Sequence, residues 1–229
     1  STGKLENINI KAEFIGKCLT SLEEDFLIGK GIDVVFHLAA LARVQPSIED
    51  PINFNEHNVT ATVKLLYACH RAKIKRVVYS ASSSAYGDAT EFPTPETHPI
   101  NPLSPYGLQK LIGEQYCKMF SEVYGLDTCS LRYFNVYGER MNLTGAYCLV
   151  MGIFAKQMLD GKPLTITNNG EQRRDFTYVQ DVVDANILAA NHKEKLQGES
   201  FNIGNNNNYS VNEVADMLGG TKSYGEQRL

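Results

Sequence analysis

Apolar residues follow two different periods along the chain. Residues 32–38 (IDVVFHL) and 76–81 (RVVYSA) are short runs rich in β-branched side chains, which suits strands buried on both faces. Between them, from about Ile48 to Lys73, Val59, Val63, Leu66 and Tyr67 recur at helical spacing. A proline-punctuated loop follows. A second helix is predicted from Pro105, where a first turn tolerates proline, to Tyr124, with Gly125 as its stop. Residues 127–134 (DTCSLRYF) read as a third strand. Strands separated by helices of this length imply crossover connections and a parallel sheet, so the predicted fold class is α/β.

After Phe134 the rhythm changes. Helix-like stretches at 147–159 and 181–190 alternate with short strands at 164–167 and 201–203, and 205–208 is a run of asparagines suited to a turn. The pattern predicts a sheet domain over 1–135 and a smaller mixed α/β lobe over 136–229, some of whose segments return to the first domain. The closing stretch GGTKSYGEQRL carries no predicted element.

Composition narrows the function classes. With 229 residues, 43% hydrophobic and 21% charged, the chain is ordinary globular protein, which excludes disorder and collagen-like order. A net charge of -4 and a pI near 5.8 give no general pull on phosphate backbones, so no nucleic-acid partner is expected. No uncharged apolar stretch approaches the ~18 residues of a membrane span, and the opening STGKLENINI lacks a signal-peptide core, so no membrane partner and a cytoplasmic location are expected. The five cysteines form no C-x-x-C, and no histidine pair has helical ligand spacing. Neither a disulfide framework nor a metal site is predicted.

In open parallel sheets, ligands bind beyond the carboxyl ends of the strands. Here those ends read HLAA, SASSSAYG and RYFN. Ser82, Ser83 and Ser84 leave the second strand with hydroxyls, although serines also favour solvated turns. The next helix opens Ser104-Pro105-Tyr106, with Lys110 one turn beyond the tyrosine on the same face. An ammonium there would favour a phenolate and make Tyr106 a usable base. A Tyr-x-x-x-Lys pair arises often by chance; what singles this one out is its place, 24 residues after a serine cluster at a strand end.

HLAA, SASSSAYGD, SPYGLQK and LRYFNVYG, in this order, resemble the extended short-chain dehydrogenase/reductase family, and within it the nucleotide-sugar 4-epimerases of UDP-glucose and UDP-N-acetylglucosamine. The likeness continues through GAYCLVMGIF, ITNNGEQRRDFTYVQDVVDA and FNIGN, nearly the whole chain, and is nearest the UDP-N-acetylhexosamine branch. It implies a Rossmann-like, doubly wound parallel sheet, an NAD cofactor, a UDP-sugar substrate and a homodimer built on the two long helices. Tyr106, Lys110 and Ser82 would be catalytic. Tyr106 would take the proton of the sugar 4-hydroxyl as hydride leaves carbon 4 for NAD, and the 4-keto sugar would turn over before the hydride returns. Ala39, Ala40, Asn58, Tyr106, Lys110 and Tyr133 would contact the cofactor. Ser82, Ser83, Asn135, Val150, Phe154, Arg174 and Arg228 would contact the substrate, Asn135 and Arg174 at the diphosphate and Val150 and Phe154 beside the uracil. Sugar dehydratases of this family carry Thr-Asp-Glu where this chain has serines, which removes the acid and base that elimination needs.

The family's phosphate cradle, Gly-x-x-Gly-x-x-Gly after a first strand, is not found among the 18 glycines. The expectation is a chain that starts inside the fold, lacks the first β-α-β unit, ends short of the full substrate lobe, and is prone to aggregate. A related decarboxylase or reductase, and a binding protein without turnover, remain alternatives to the epimerase.

Overall fold

A computed structural model describes residues 3–143 and 148–225. In chain order its elements are β1 (Val34–His37), α1 (Val44–Glu49), α2 (Pro51–Asn55), a π-helical segment (Glu56–Thr60), α3 (Ala61–Arg71), β2 (Arg76–Ser82), a 3-10 turn (Ser83–Tyr86), α4 (Pro105–Tyr124) and β3 (Thr128–Tyr133). They continue with β4 (Asn135–Tyr137), α5 (Val150–Leu159), β5 (Leu164–Thr167), β6 (Arg173–Arg174), β7 (Phe176–Tyr178) and α6 (Val179–Asn191). The last are β8 (Glu199–Ile203), β9 (Tyr209–Ser210), α7 (Val211–Leu218) and β10 (Lys222–Gly225). Short 3-10 turns at Leu5–Asn7 and Leu19–Ser21 precede β1.

The chain divides into two compact units. The larger comprises Phe14–Tyr133 and Val182–Ile203. Its sheet has the order β1-β2-β3-β8, with every neighbouring pair parallel. Alternate residues of β2 point to opposite faces, as a period of two requires. Val77, Tyr79 and Ala81 pack with Leu65, Leu66 and Cys69 of α3 and with Cys117 and Phe120 of α4. Val78 packs instead with Cys129 and Leu131 of β3 and with Ala185, Ala189 and Ala190 of α6. Helices on both faces of a parallel sheet make the doubly wound arrangement expected from the alternation of elements. Arg76 ties sheet to helix: it donates to Asp127 at 2.6 Å and to the carbonyls of Ala189, His192 and Glu194, closing the end of α6.

The predicted helix from Ile48 to Lys73 is not continuous. Pro51 cannot donate a backbone hydrogen bond to a preceding turn, and Asp50 caps a new helix by accepting from Asn53 N–H. The π-helical segment then precedes α3. By contrast, α4 has the predicted bounds: the Ser104 hydroxyl accepts from Gly107 N–H at one end and Gly125 closes the other.

The smaller unit comprises Ser1–Glu13, Phe134–Asp181 and Gly204–Leu229. Phe154 of α5, Leu164 and Ile166 of β5, Phe176 of β7 and Val211, Val214 and Ala215 form its core. Strand pairs β5–β10 and β4–β7 are parallel, and β6–β9 is antiparallel. A reciprocal cap between Ser210 and Glu213 starts α7. The closing segment, read from sequence as having no element, contributes β10. Among the described residues, no helix is long and apolar enough to cross a membrane.

Candidate active site

In the larger unit, β2 runs into the serine turn and α4 begins close beside it. A Cβ at Gly107 would lie 2.8 Å from the Ser84 carbonyl, so only glycine allows the first turn of α4 to approach this closely. Tyr106 is anchored from below by its backbone N–H, which donates to Ser47 Oγ of α1 at 3.0 Å. The Ser82 side chain acts on its phenol in the direction that favours the ionised form. Ser84 in turn donates to Ser82 Oγ through both its backbone N–H, at 3.2 Å, and its hydroxyl, at 2.8 Å. Ser82 is thus the hub of the turn. Ser83, half-buried, opens the 3-10 segment.

Lys110 sits one helical turn beyond Tyr106 and is buried. Its ammonium donates to Ser80 O at 2.7 Å and lies 5.0 Å from the centre of the Tyr79 ring. Burial lowers its pKa to about 8. The i, i+4 spacing predicts a phenol made more acidic by this ammonium, but burial holds Tyr106 above its ordinary value and the Ser82 side chain is what opposes that rise. His37, at the end of β1, is neutral, its pKa lowered to about 3 by burial and by the Lys110 charge. Its Nε2 meets Thr62 Oγ1 at 2.8 Å, and Nδ1 is buried without a partner. His37 therefore has a partner at only one of its ring nitrogens.

The other sequence-derived positions differ in what they offer. Ala39 is exposed and Ala40 half-buried just past β1. Asn58, placed by the π-helical segment, is engaged inside the protein: Oδ1 accepts from Leu41 N–H at 2.8 Å, while Nδ2 donates to Leu41 O at 2.9 Å and to Gln109 Oε1 at 3.1 Å. Both of its N–H groups are used, so it holds the loop after β1 rather than presenting a free donor. The Tyr133 hydroxyl is likewise bonded to Ser80 Oγ, at 3.1 Å, and to Asn186. Sequence reasoning missed Gln109 and Asn186, whose roles come from partners far along the chain.

In the smaller unit, Asn135 opens β4, and one of its amide hydrogens goes to Asp175 O at 2.8 Å. Arg174 is exposed, with Nη1 donating to Arg173 O at 2.7 Å. Arg173 is committed to Glu213 and Asn208. Val150 is half-buried at the start of α5. Phe154 requires a correction: its ring is fully buried among Leu164, Ile166 and Phe176, so it builds the core and offers no face to a uracil. Arg228 and the Gly145–Tyr147 part of the GAY segment lie outside the described residues, as does the predicted start of α5 at Tyr147. Among the described residues no cluster of His, Cys, Asp and Glu could hold a metal.

The profile of the NAD dependent epimerase/dehydratase family matches residues 4–204. The chain belongs to this family. A Methanocaldococcus jannaschii protein named as a candidate UDP-glucose 4-epimerase is 40% identical over 220 residues, covering 95% of this chain and 70% of that protein. The UDP-N-acetylglucosamine 4-epimerase of Methanobrevibacter ruminantium, solved with UDP-N-acetylmuramic acid, matches with a TM-score of 0.92 and 37% identity, over 100% of this chain and 76% of that one. The Thermus thermophilus UDP-glucose 4-epimerase, solved with NAD, matches with a TM-score of 0.87 and 30% identity over the same shares, 100% and 76%. A UDP-N-acetyl-alpha-D-glucosaminuronate decarboxylase of Bacillus cytotoxicus is also related, 36% identical over 191 residues, 81% of this chain and 58% of the enzyme.

NAD is the family's cofactor, and the donor set at these strand ends fits its nicotinamide ribose. The buried ammonium of Lys110 has three N–H groups and gives one to Ser80, leaving two for ribose hydroxyls. The small side chains of Ala39 and Ala40 leave the backbone beyond β1 open to approach. The sequence supplies no glycine-rich cradle for the pyrophosphate end.

Proposed function

We propose that the chain carries the chemistry of a UDP-sugar 4-epimerase, acting on UDP-N-acetylglucosamine and UDP-N-acetylgalactosamine or on UDP-glucose and UDP-galactose. The observation that carries the reading is the placing of Tyr106 and Lys110 one turn apart on α4, where Gly107 lets the start of the helix pack against the turn that begins at Ser82, a Cβ there lying 2.8 Å from Ser84 O. Tyr106 removes the proton of the sugar 4-hydroxyl at its phenolic oxygen and gives it back. Ser82 hydrogen-bonds the same hydroxyl and keeps the phenol within reach of ionisation. Lys110 holds the nicotinamide ribose with its two remaining N–H groups and disposes its charge toward the phenolate. NAD, when bound, supplies the reversible oxidation at carbon 4. Asn135 and Arg174 are the groups offered to the diphosphate; the guanidinium is planar and suited to a paired phosphate contact. Val150 is offered to the uracil. Hydroxyls rather than carboxylates at 82–84 favour inversion at one carbon over elimination.

The test is proton NMR of UDP-N-acetylglucosamine and UDP-glucose incubated with the chain, with and without added NAD. The expected result is accumulation of the C4 epimer, reduced about 10²–10⁴-fold in Tyr106→Phe, the usual range for a positioned acid–base group. Binding of UDP-sugar without any epimer, under saturating NAD, would make the chain a binding protein instead.

A further inference from the structure

The sequence contains a single Asn–Gly pair, Asn169–Gly170, in the turn between β5 and β6 of the smaller unit. Packing requires the glycine. Its φ is +74°, and a Cβ there would lie 2.5 Å from Asn212 Oδ1 and 2.7 Å from Ile166 Cγ2. Asn169 is exposed, and its side-chain carbonyl is held against the main chain: Oδ1 accepts from Glu171 N–H at 3.1 Å. Among the described residues nothing accepts from the Gly170 N–H.

The turn is stitched to the start of α7 through one residue. Asn212 donates from its backbone N–H to Gly170 O at 3.1 Å, and from Nδ2 to Asn169 O at 2.8 Å and Glu171 Oε1 at 2.6 Å. Its Oδ1 accepts from the Tyr224 hydroxyl of β10 at 3.1 Å. Turn, helix and strand therefore depend on Asn212 together.

We propose that Asn169 is a self-modifying site, converted in the folded protein to aspartate and isoaspartate, and that the isoaspartyl form releases Asn212. The Gly170 nitrogen attacks Asn169 Cγ and a succinimide ring closes. The Cγ–Nδ2 bond breaks, and the proton of the Gly170 nitrogen leaves with the amide nitrogen as ammonia. Water then opens the ring at either carbonyl: at Cγ it leaves aspartate, and at the main-chain carbon of Asn169 it leaves isoaspartate. The sum is amide plus water giving carboxylic acid plus ammonia, with no change of oxidation state. Glycine leaves the attacking nitrogen uncrowded. The Glu171 N–H points at the oxygen that gains charge as Cγ becomes tetrahedral, an arrangement that lowers the barrier. Isoaspartate routes the chain through Cγ, which adds a backbone carbon before Gly170 and turns the former Asn169 carbonyl into a carboxylate. The two carbonyls that Asn212 bridges are then no longer one peptide apart.

The test incubates the full chain in mildly alkaline buffer, native and unfolded in urea, and follows each asparagine by peptide mass spectrometry with separation of the isoaspartyl isomer. In the native chain Asn169 is expected to convert before any other asparagine. Asn169→Ser keeps an oxygen for the Glu171 N–H and cannot cyclise, so it should abolish the first product. Retention of the Asn169 amide in the native chain, over a time in which the unfolded chain loses it, would show that the fold protects the site and would overturn the proposal, as would earlier conversion elsewhere. Hydrogen exchange reads the consequence. The Asn212 N–H is expected to exchange about tenfold faster in the isoaspartyl chain, the scale of one lost hydrogen bond, whereas Asn169→Asp, which has the charge without the added carbon, keeps its protection. Equal exchange before and after conversion would overturn the release of Asn212. Neither measurement needs turnover, so both stand apart from the epimerase reading.

Discussion

The Lys110 ammonium is buried 2.7 Å from Ser80 O and 5.0 Å from the Tyr79 ring, with no carboxylate bonded to it. Burial of an unpaired charge lowers its pKa from 10.5 to about 8, so the folded state releases the proton before the unfolded state does. Below pH 8 both states are charged and the folded one carries the full penalty. Between pH 8 and 10.5 the unfolded chain binds more protons, and stability rises with pH. Lys110→Met removes the penalty at the loss of one hydrogen bond. It is expected to stabilise the protein by about 2 kcal/mol at pH 7 and by little at pH 10.5. Chemical denaturation at the two pH values checks this; a less stable Met variant at pH 7 would show that the Ser80 contact outweighs desolvation. A residue that lowers stability where it stands fits a group kept for chemistry.

Among the elements, α4 does most to organise the site, and local signals define it. Ser104 and Pro105 mark its start and Gly125 its end, which is why its bounds were legible in the sequence. One interior position is equally constrained. A Cβ at Gly113 would fall 2.2 Å from Tyr79 Oη and 2.6 Å from Cζ, and the Tyr79 ring is fully buried with no room to retreat. Gly113→Ala is therefore expected to destabilise by about 2 kcal/mol despite the better helix propensity of alanine, read as a lower melting temperature. A variant as stable as wild type would mean that Tyr79 repacks freely. Other elements had no such local signature. The two-residue strands β6 and β9 exist only because Arg173 and Arg174 pair with Ser210 and Tyr209. Likewise β10 is held by β5, far back along the chain. The break at Asp50–Pro51 has a local signature, a capping aspartate before a proline, but Val59, Val63 and Leu66 continue the helical period beyond it and mask it. The same divide runs through the site. Tyr106, Lys110 and Ser82 stand out by their order and spacing, whereas Gln109 and Asn186 meet Asn58 and Tyr133 across 51 and 53 residues, where no local pattern exists.

At the scale of the whole molecule, β1 stands at one end of the sheet order, with β2 as its one strand partner among the described residues. The surface around it is apolar: Phe36 is 44% exposed, Leu38 just beyond the strand 59%, and Ile32 before it 38%. An unpaired edge flanked by large apolar side chains is a template for another chain. Electrostatics offer little resistance, since the net charge is only -4 at pH 7 and approaches zero near pH 5.8. Concentration-dependent association is therefore expected, steepening as pH falls from 7 toward 6. Phe36→Glu places a charge on the strand's exposed side without disturbing the core face, where His37 is buried. It should reduce light scattering at equal concentration and leave the melting temperature within a few degrees of wild type. If both proteins stay monomeric across that pH range, β1 is protected in solution by something other than charge. If the variant associates as strongly as wild type, the adhesive surface lies elsewhere, with the exposed Val183, Ile187 and Leu188 of α6 next to be replaced.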